Sequence, residues 1–191
     1  MIPMEKSPGS WKTVSRKEWG AADATSTPTP HVPKRIVIHH SFQPDSKSWN
    51  GITSVRGIQR YHQKTQGWAD IAYHFIVSPD GKQVFLGRPE DTVGAHCGGV
   101  IPQGVRKVYG NTGSIGICLA GNYDQEQPSL EGLRTLLELI GQLRDQYSIA
   151  AANVLGHFEA WSRPPKTCPG KFLILALGWD LRLQRAFPKG L

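Results

Sequence analysis

The most restrictive stretch of this 191-residue chain is GHFEAWSRPPKTCPG, residues 156–170. Pro164, Pro165 and Pro169 fix their own φ angles, and Pro164 and Pro169 also push the residues before them, Arg163 and Cys168, away from helical geometry. The segment therefore reads as a stiff loop that holds side chains at set positions. Three of those side chains carry chemistry: His157 and Cys168 offer an imidazole and a thiolate as metal donors, and Lys166 places an ammonium group beside them.

A second histidine source lies far upstream. RIVIHHS, residues 35–41, is a short β-branched run of the kind found in a buried strand, and it ends on His39 and His40. Neighbouring side chains of an extended strand face opposite ways, so the two histidines cannot both address one site. Ile36 and Ile38 share a face with His40, and Val37 shares one with His39. A donor from this strand end and two from the later loop make a three-ligand set, the number that a catalytic zinc site uses while leaving a fourth position open. Spacing alone does not single out such a triple, because the chain lacks CxxC and HExxH and has seven histidines and three cysteines.

The remaining elements follow from periodicity and turn chemistry. Ile52, Val55, Ile58 and Tyr61 recur every three residues, which predicts a helix over 53–66, capped by Asn50 or Thr53 and closed near Gly67. IAYHFIVSPDGKQVFLG, 71–87, reads as a hairpin around Ser78-Pro79-Asp80-Gly81, with Tyr73, Phe75 and Val77 on one strand face. Residues 88–112 are glycine-rich without a period and read as a long loop, and SIGICLAG, 114–121, returns to strand character. After Pro128, Ser129 is placed to cap a helix whose stripe is Leu130, Leu133, Leu136, Leu137, Ile140, Leu143 and Tyr147. AANVLG, 151–156, is a short strand or turn that delivers His157, and a last helix is expected beyond Gly170. Residues 1–33, rich in Pro, Ser and Thr, read as an extended arm packed on a domain spanning 34–191, with Trp11 and Trp19 as anchors.

Composition bounds the partners. The chain is the size of one globular domain, and 22 basic against 15 acidic residues leave a net charge of +7, which suits a polyanionic partner: nucleic acid, anionic lipid or a cell-wall polymer. The basic residues are scattered, and no aromatic-basic interleaving of the kind a single-strand binder shows supports specific nucleic-acid binding. Three cysteines cannot all pair with each other, so at least one thiol is free, metal-bound or intermolecular. The opening MIPMEKSPGSW has no apolar core of signal-peptide length, and no stretch approaches the roughly 18 apolar residues of a membrane span. The expectation is a chain made in the cytoplasm without a signal peptide.

Six blocks in order, RIVIHHS, GWADIAYHFIVSPDGK, GAHCGG, NTGSIGICLAGNYD, GHFEA and PKTCPG, resemble the type 2 N-acetylmuramoyl-L-alanine amidases, the zinc family that includes peptidoglycan recognition proteins and phage amidase-type lysozymes. SRKEWGA, 15–21, is similar to the start of a recognition-protein domain. The resemblance implies a single α/β domain with a central mixed β-sheet flanked by helices and a zinc site in a groove over the sheet. It implies Zn²⁺ as cofactor with His39, His157 and Cys168 as metal ligands, Tyr73 and Lys166 as catalytic residues, and His96, Arg88 and Thr112 as substrate-binding residues. Arg88 is cast there as a clamp for a stem-peptide carboxylate, and His96 as a histidine lining the groove.

The activity implied is hydrolysis of the amide bond between N-acetylmuramic acid and L-alanine of peptidoglycan, by a monomer that binds muropeptides. Cys118 stands where cytosolic recycling amidases of this family carry a glutamate base, and phage lysozyme-type members resemble this chain in having a cysteine there. That places the chain near phage endolysins, which act on the wall after release by a holin or by lysis. The alternative is a recognition module that binds muropeptides without cutting them; such members lose the zinc cysteine, and this chain keeps Cys168.

Overall fold

The computed structural model describes residues 11–97, 110–160 and 167–179. A six-stranded mixed sheet forms the centre, in the order β1-β4-β3-β5-β2-β6. Its middle is β2 (Arg35–His40), which runs parallel to β5 (Ser114–Leu119) on one side and to β6 (Val154–Gly156) on the other. β3 (Phe75–Val77) and β4 (Gln83–Leu86) form the expected antiparallel hairpin, and β3 continues the sheet parallel to β5. Gly81 closes the hairpin turn at φ +69, where a Cβ would strike the Glu131 carbonyl at 2.3 Å, so only glycine fits. The mixed sheet flanked by helices is the architecture that the family resemblance implies.

Each sheet face is covered by helices. The back face carries Ile36, Ile38, Phe75, Val77, Ile115, Ile117 and Leu119, which meet Leu136, Leu139, Ile140 and Leu143 of α3 (Leu130–Tyr147) in one apolar cluster. Ser129 caps α3 as expected, its hydroxyl accepting from Gly132 N–H. The buried stripe differs from the expected one: Leu139 is buried, whereas Leu130 is 74% exposed and Leu137 49% exposed. Each residue turns the helix by about 100°, so Leu137 rotates off the arc shared by Leu136, Leu139, Ile140 and Leu143.

The front face is covered by α2 (Gly51–Lys64), which buries Val55, Ile58, Gln59 and His62. Ile52 and Tyr61, expected in that stripe, are exposed. They are nine positions apart, which on a helix of 3.6 residues per turn puts them about 180° apart, so a strict three-residue spacing cannot stay on one face. Tyr73 also departs from expectation. The strand alternation begins only at Phe75, and Tyr73 lies on the opposite side from Phe75, packed against the front cluster of Ile71, Ile76, Val55 and Cys118.

The N-terminal segment has more structure than its composition suggests. β1 (Lys12–Val14) pairs in parallel with β4, and α1 (Arg16–Trp19) follows with a full capping box from Ser15 and Glu18. A three-residue strand has no periodicity to read; it exists because β4 supplies its backbone partners. Trp19 is fully buried and donates from Nε1 to Leu86 O at 2.8 Å, as an anchor should. Arg16 pairs with Asp70 at 3.0 Å, and Gln59 Nε2 donates to Asp70 Oδ1 at 2.6 Å, tying the segment to α2. A last helix, α5 (Lys171–Ala176), follows Gly170. Among the described residues no helix is long and apolar enough to cross a membrane.

Candidate metal centre

Three pieces of chain meet at the C-terminal end of β2. Alternation turns His39 to the front, where it is 1% exposed, and His40 to the back. β6 is in register with β2 up to the pair Ile38 and Gly156, so the next residue, His157 at the start of α4 (His157–Ala160), comes alongside His39 with ring centroids 4.4 Å apart. Cys168 arrives on the turn before α5. That turn is fixed by Phe158 N–H donating to Cys168 O at 2.8 Å, Thr167 Oγ1 donating to Asp124 Oδ2 at 2.6 Å and Lys171 N–H donating to Asp124 Oδ1 at 3.1 Å.

His39, His157 and Cys168 each offer one donor atom, and the three atoms lie within 4.8 Å of one another. Cys168 Sγ is 3.7 Å from His39 Nδ1. A tetrahedral zinc with bonds of about 2.05 Å to nitrogen and 2.3 Å to sulfur spans an N to S edge of about 3.6 Å, so the observed spacing fits that ion without rearrangement. Two imidazoles and one thiolate are also the donor chemistry zinc prefers. All three cysteines are free of disulfides.

Tyr73 completes the arrangement, its ring centroid 5.3 Å from that of His39. Burial, then the nearby thiols of Cys118 and Cys168, hold its hydroxyl well above the usual phenol value, so near neutral pH it is an un-ionised hydrogen-bond donor. Beside it opens a groove of about 800 Å³ lined by Phe42, Pro44, Tyr61, His62 and Tyr73. His62 was not among the expected site residues. Its ring lies 5.7 Å from Tyr73, and its Nδ1 accepts from Ala72 N–H at 3.1 Å. The signal for it was the 3.6-residue arc Val55, Ile58, Gln59, His62, which the three-residue spacing obscured.

The other expected residues fall in different places. His96 is 6% exposed and sits beneath His39, with its Nδ1 3.0 Å from His39 Nε2 and its Nε2 3.3 Å from Ser114 O. Arg88 directs its guanidinium at three carbonyls, Ile71 O at 2.6 Å, Val93 O at 3.0 Å and Asp70 O at 3.3 Å, and so ties the 70–73 segment to residue 93. Thr112 precedes β5 at the end of the sheet away from His39, and its carbonyl accepts from Arg35 Nη1 at 2.9 Å. Lys166 lies outside the described residues.

His40 accepts from Tyr123 N–H at 3.2 Å, and its Nε2 is 4.0 Å from Asp124 Oδ2. Burial outweighs the pull of that carboxylate and lowers its pKa to about 4, so His40 is neutral near pH 7 and the contact is not an ion pair. It fixes the Tyr123 backbone, and Asp124, the next residue, holds the Cys168 turn.

Comparison with known proteins agrees with this geometry. Residues 29–171 match the family described as N-acetylmuramoyl-L-alanine amidase. The human N-acetylmuramoyl-L-alanine amidase is 32% identical over 170 residues, covering 83% of this chain and 26% of the human protein, so the chain spans about a quarter of that relative. Peptidoglycan-recognition protein SC2 of Drosophila melanogaster is 32% identical over 160 residues, covering 82% of this chain and 79% of the relative. A variant of the Drosophila peptidoglycan recognition protein LB, solved in complex with tracheal cytotoxin, superposes with a TM-score of 0.70 at 29% identity, covering 88% of this chain and 94% of that one. Three donors gathered on one sheet face and a pattern matched across most of the sequence lead to one conclusion: this chain belongs to the N-acetylmuramoyl-L-alanine amidase family.

Proposed function

We propose that the chain is a zinc-dependent peptidoglycan hydrolase that cleaves the amide bond between N-acetylmuramic acid and L-alanine of the stem peptide. The observation that carries this reading is the convergence of His39, His157 and Cys168 within 4.8 Å, with the ring of Tyr73, which lines the neighbouring groove, 5.3 Å from that of His39. His39, His157 and Cys168 would hold a zinc ion, which would supply Lewis acidity and a water nucleophile near neutral pH.

The chain's own residues do the rest. The groove orients the muropeptide; support for that substrate class is the relative solved with tracheal cytotoxin. Tyr73 stays un-ionised, so its hydroxyl donates to the carbonyl oxygen as negative charge develops there. Lys166, two residues before Cys168 in sequence, is the second proposed donor to that oxygen. His39 and His157 act as neutral imidazoles and Cys168 as a thiolate. The cysteine at position 118, as in the phage lysozyme-type members that this chain resembles, supports the further proposal of a monomeric endolysin of phage type, made in the cytoplasm and reaching the wall after release.

The test is digestion of purified murein by the full chain, with and without a chelator, followed by mass spectrometry of the products. The expected result is free stem peptide beginning at L-alanine, abolished by the chelator and restored by zinc. Retention of the chain on murein without release of peptide under zinc-replete conditions replaces this reading with a recognition module.

A further inference from the structure

The front face holds more imidazoles than a three-donor centre uses. His31, His74 and His96 stand in a row behind His39, with centroids 6.0 Å apart for His31 and His74, 5.6 Å for His74 and His96, and 5.0 Å for His96 and His39. Each of the three is held at both ring nitrogens. Ring Nε2 faces a backbone carbonyl: Glu90 O at 2.9 Å for His31, Thr92 O at 2.8 Å for His74 and Ser114 O at 3.3 Å for His96. Ring Nδ1 accepts from a backbone N–H in two of them, Gly113 at 2.7 Å for His31 and Gly116 at 2.8 Å for His74, and in His96 it faces the other ring nitrogen, His39 Nε2, at 3.0 Å.

A carbonyl can only accept, so each Nε2 carries the hydrogen, and a neutral ring then has a bare lone pair on Nδ1. His74 and His96 are buried away from solvent, where a neutral ring is favoured over a charged one. We propose that His96 is a positioning residue that sets the tautomer of His39: Ser114 O takes the His96 Nε2–H, the bare His96 Nδ1 takes the His39 Nε2–H, and His39 is left with a bare Nδ1 facing Cys168. The proposal rests on the metal reading of the centre, because a ligand nitrogen must present a lone pair and its other N–H is best held by an acceptor. With the hydrogen of His96 on Nδ1 instead, His39 Nε2 would have to accept, and its own hydrogen would sit on Nδ1, 3.7 Å from Cys168 Sγ, where the ion needs electrons.

The surrounding backbone is cut for this ring. A Cβ on Gly116 would lie 2.5 Å from His96 Cγ and Cδ2, and one on Gly94 would lie 2.6 Å from His96 Cδ2. Both positions therefore leave room that the imidazole fills. On its other side the chain is pinned by Cys97 N–H donating to Asn111 Oδ1 at 2.6 Å. His39, His96 and Cys97 also present three donor atoms within 4.8 Å, the alternative use of the same geometry as a second ion site. The relay requires one ion per chain, the alternative two.

The experiment uses the full chain and reads tautomer and zinc affinity rather than activity. Nitrogen-15 NMR of the histidine rings in the zinc-free protein is expected to show His39 protonated on Nε2 and bare on Nδ1; the opposite pattern overturns the proposal and needs no variant. In competition with a chromophoric chelator, His96→Phe is expected to bind zinc about 10- to 100-fold more weakly. His96→Asn, whose Oδ1 can stand where the ring Nδ1 stood, is expected to recover most of that loss. His96→Phe binding zinc as tightly as the unaltered chain overturns the proposal, and so do two zinc equivalents that fall to one in that variant. Cys168→Ser keeps the two ideas apart. Zinc lost in Cys168→Ser but unchanged in His96→Phe sinks the relay alone, whereas zinc retained in Cys168→Ser sinks the centre itself.

Discussion

The two faces of the sheet are built from the same strands and bury different things. Behind it, every inward residue of β2, β3 and β5 up to His40 is apolar and meets α3 in a single cluster. In front, the same strands present Val37, His39, Ile76, Gly116 and Cys118, and the apolar contacts divide into two smaller clusters, one around Trp19, Val55 and Phe85 and one of Val37, Cys97 and Ala160. His39, His96 and His157 belong to neither. Burying imidazoles costs free energy unless each finds a partner. The front face meets that condition with backbone carbonyls, N–H groups and other rings. The lesson is a division of labour by residue parity: one face supplies stability, which leaves the other free to hold donors at fixed distances.

If the division is real, function and stability separate on mutation. The largest effect belongs to the donor set. Cys168→Ser is expected to abolish stoichiometric zinc and to drop murein hydrolysis to that of the chelator-treated chain, while the zinc-free melting temperature stays close to that of the unaltered zinc-free protein. Tyr73→Phe comes next, with turnover down about 10²- to 10³-fold, as for loss of one donor to a developing oxyanion. Zinc content, measured by metal analysis, is expected to be unchanged in that variant. Leu136→Ala is the reciprocal change on the back face: urea unfolding is expected to show a loss of about 2–5 kcal/mol. Zinc affinity of its folded fraction should match that of the unaltered chain, and a parallel loss of zinc affinity would show that the two faces are not separable.

The back face and the donor set were legible in the sequence for different reasons. RIVIHHS carries its own parity, so the separation of His39 from His40 could be read from strand geometry alone. The choice of His39 over His40, and the match to His157 and Cys168, came from resemblance, because convergence of residues so far apart is a property of sheet order that no local pattern encodes. The alternation expected to put Tyr73 on the face of Phe75 fails because the strand starts two residues later, and the Tyr73 ring lies 5.3 Å from that of His39 instead. His62 stayed hidden behind a three-residue spacing, and β1 had no pattern of its own. The turn role of Asp124 depends on two contacts across more than 40 residues, which only the folded chain shows.

Acid offers a finer probe of the front face. His62 and His74 are both held near a pKa of about 4 by burial, against an ordinary value of 6.5. The unfolded chain therefore takes up protons first as pH falls. The stability these rings contribute is fully present above about pH 6.5 and is lost progressively as pH drops to about 4, at most on the order of 3 kcal/mol per ring. Urea titrations of the zinc-free protein across that window are expected to show a falling midpoint. A flat profile would mean that the rings are hydrated and that the front face is not a packed surface.

Cys118 gives the smallest effect and the sharpest limit on the comparison. It lies on the front face, in register with His39, and stands where recycling amidases of this family carry a glutamate base. Parity alone would make it a functional residue. Its surroundings argue otherwise: it is fully buried within the Trp19 and Phe85 cluster, and burial raises its thiol well above the usual value, so near neutral pH it is neither a base nor a thiolate ligand. Its relation to the site is proximity: the Cys118 thiol lies near enough to Tyr73 and Cys168 to disfavour ionisation of the Tyr73 hydroxyl. Cys118→Ala removes that thiol and leaves the Tyr73 hydroxyl in place. The expected cost is no more than that of one neutral hydrogen bond, at most about 1 kcal/mol or roughly five-fold in turnover, with zinc content unchanged. Turnover falling as far as in Tyr73→Phe would give Cys118 a direct part in the reaction.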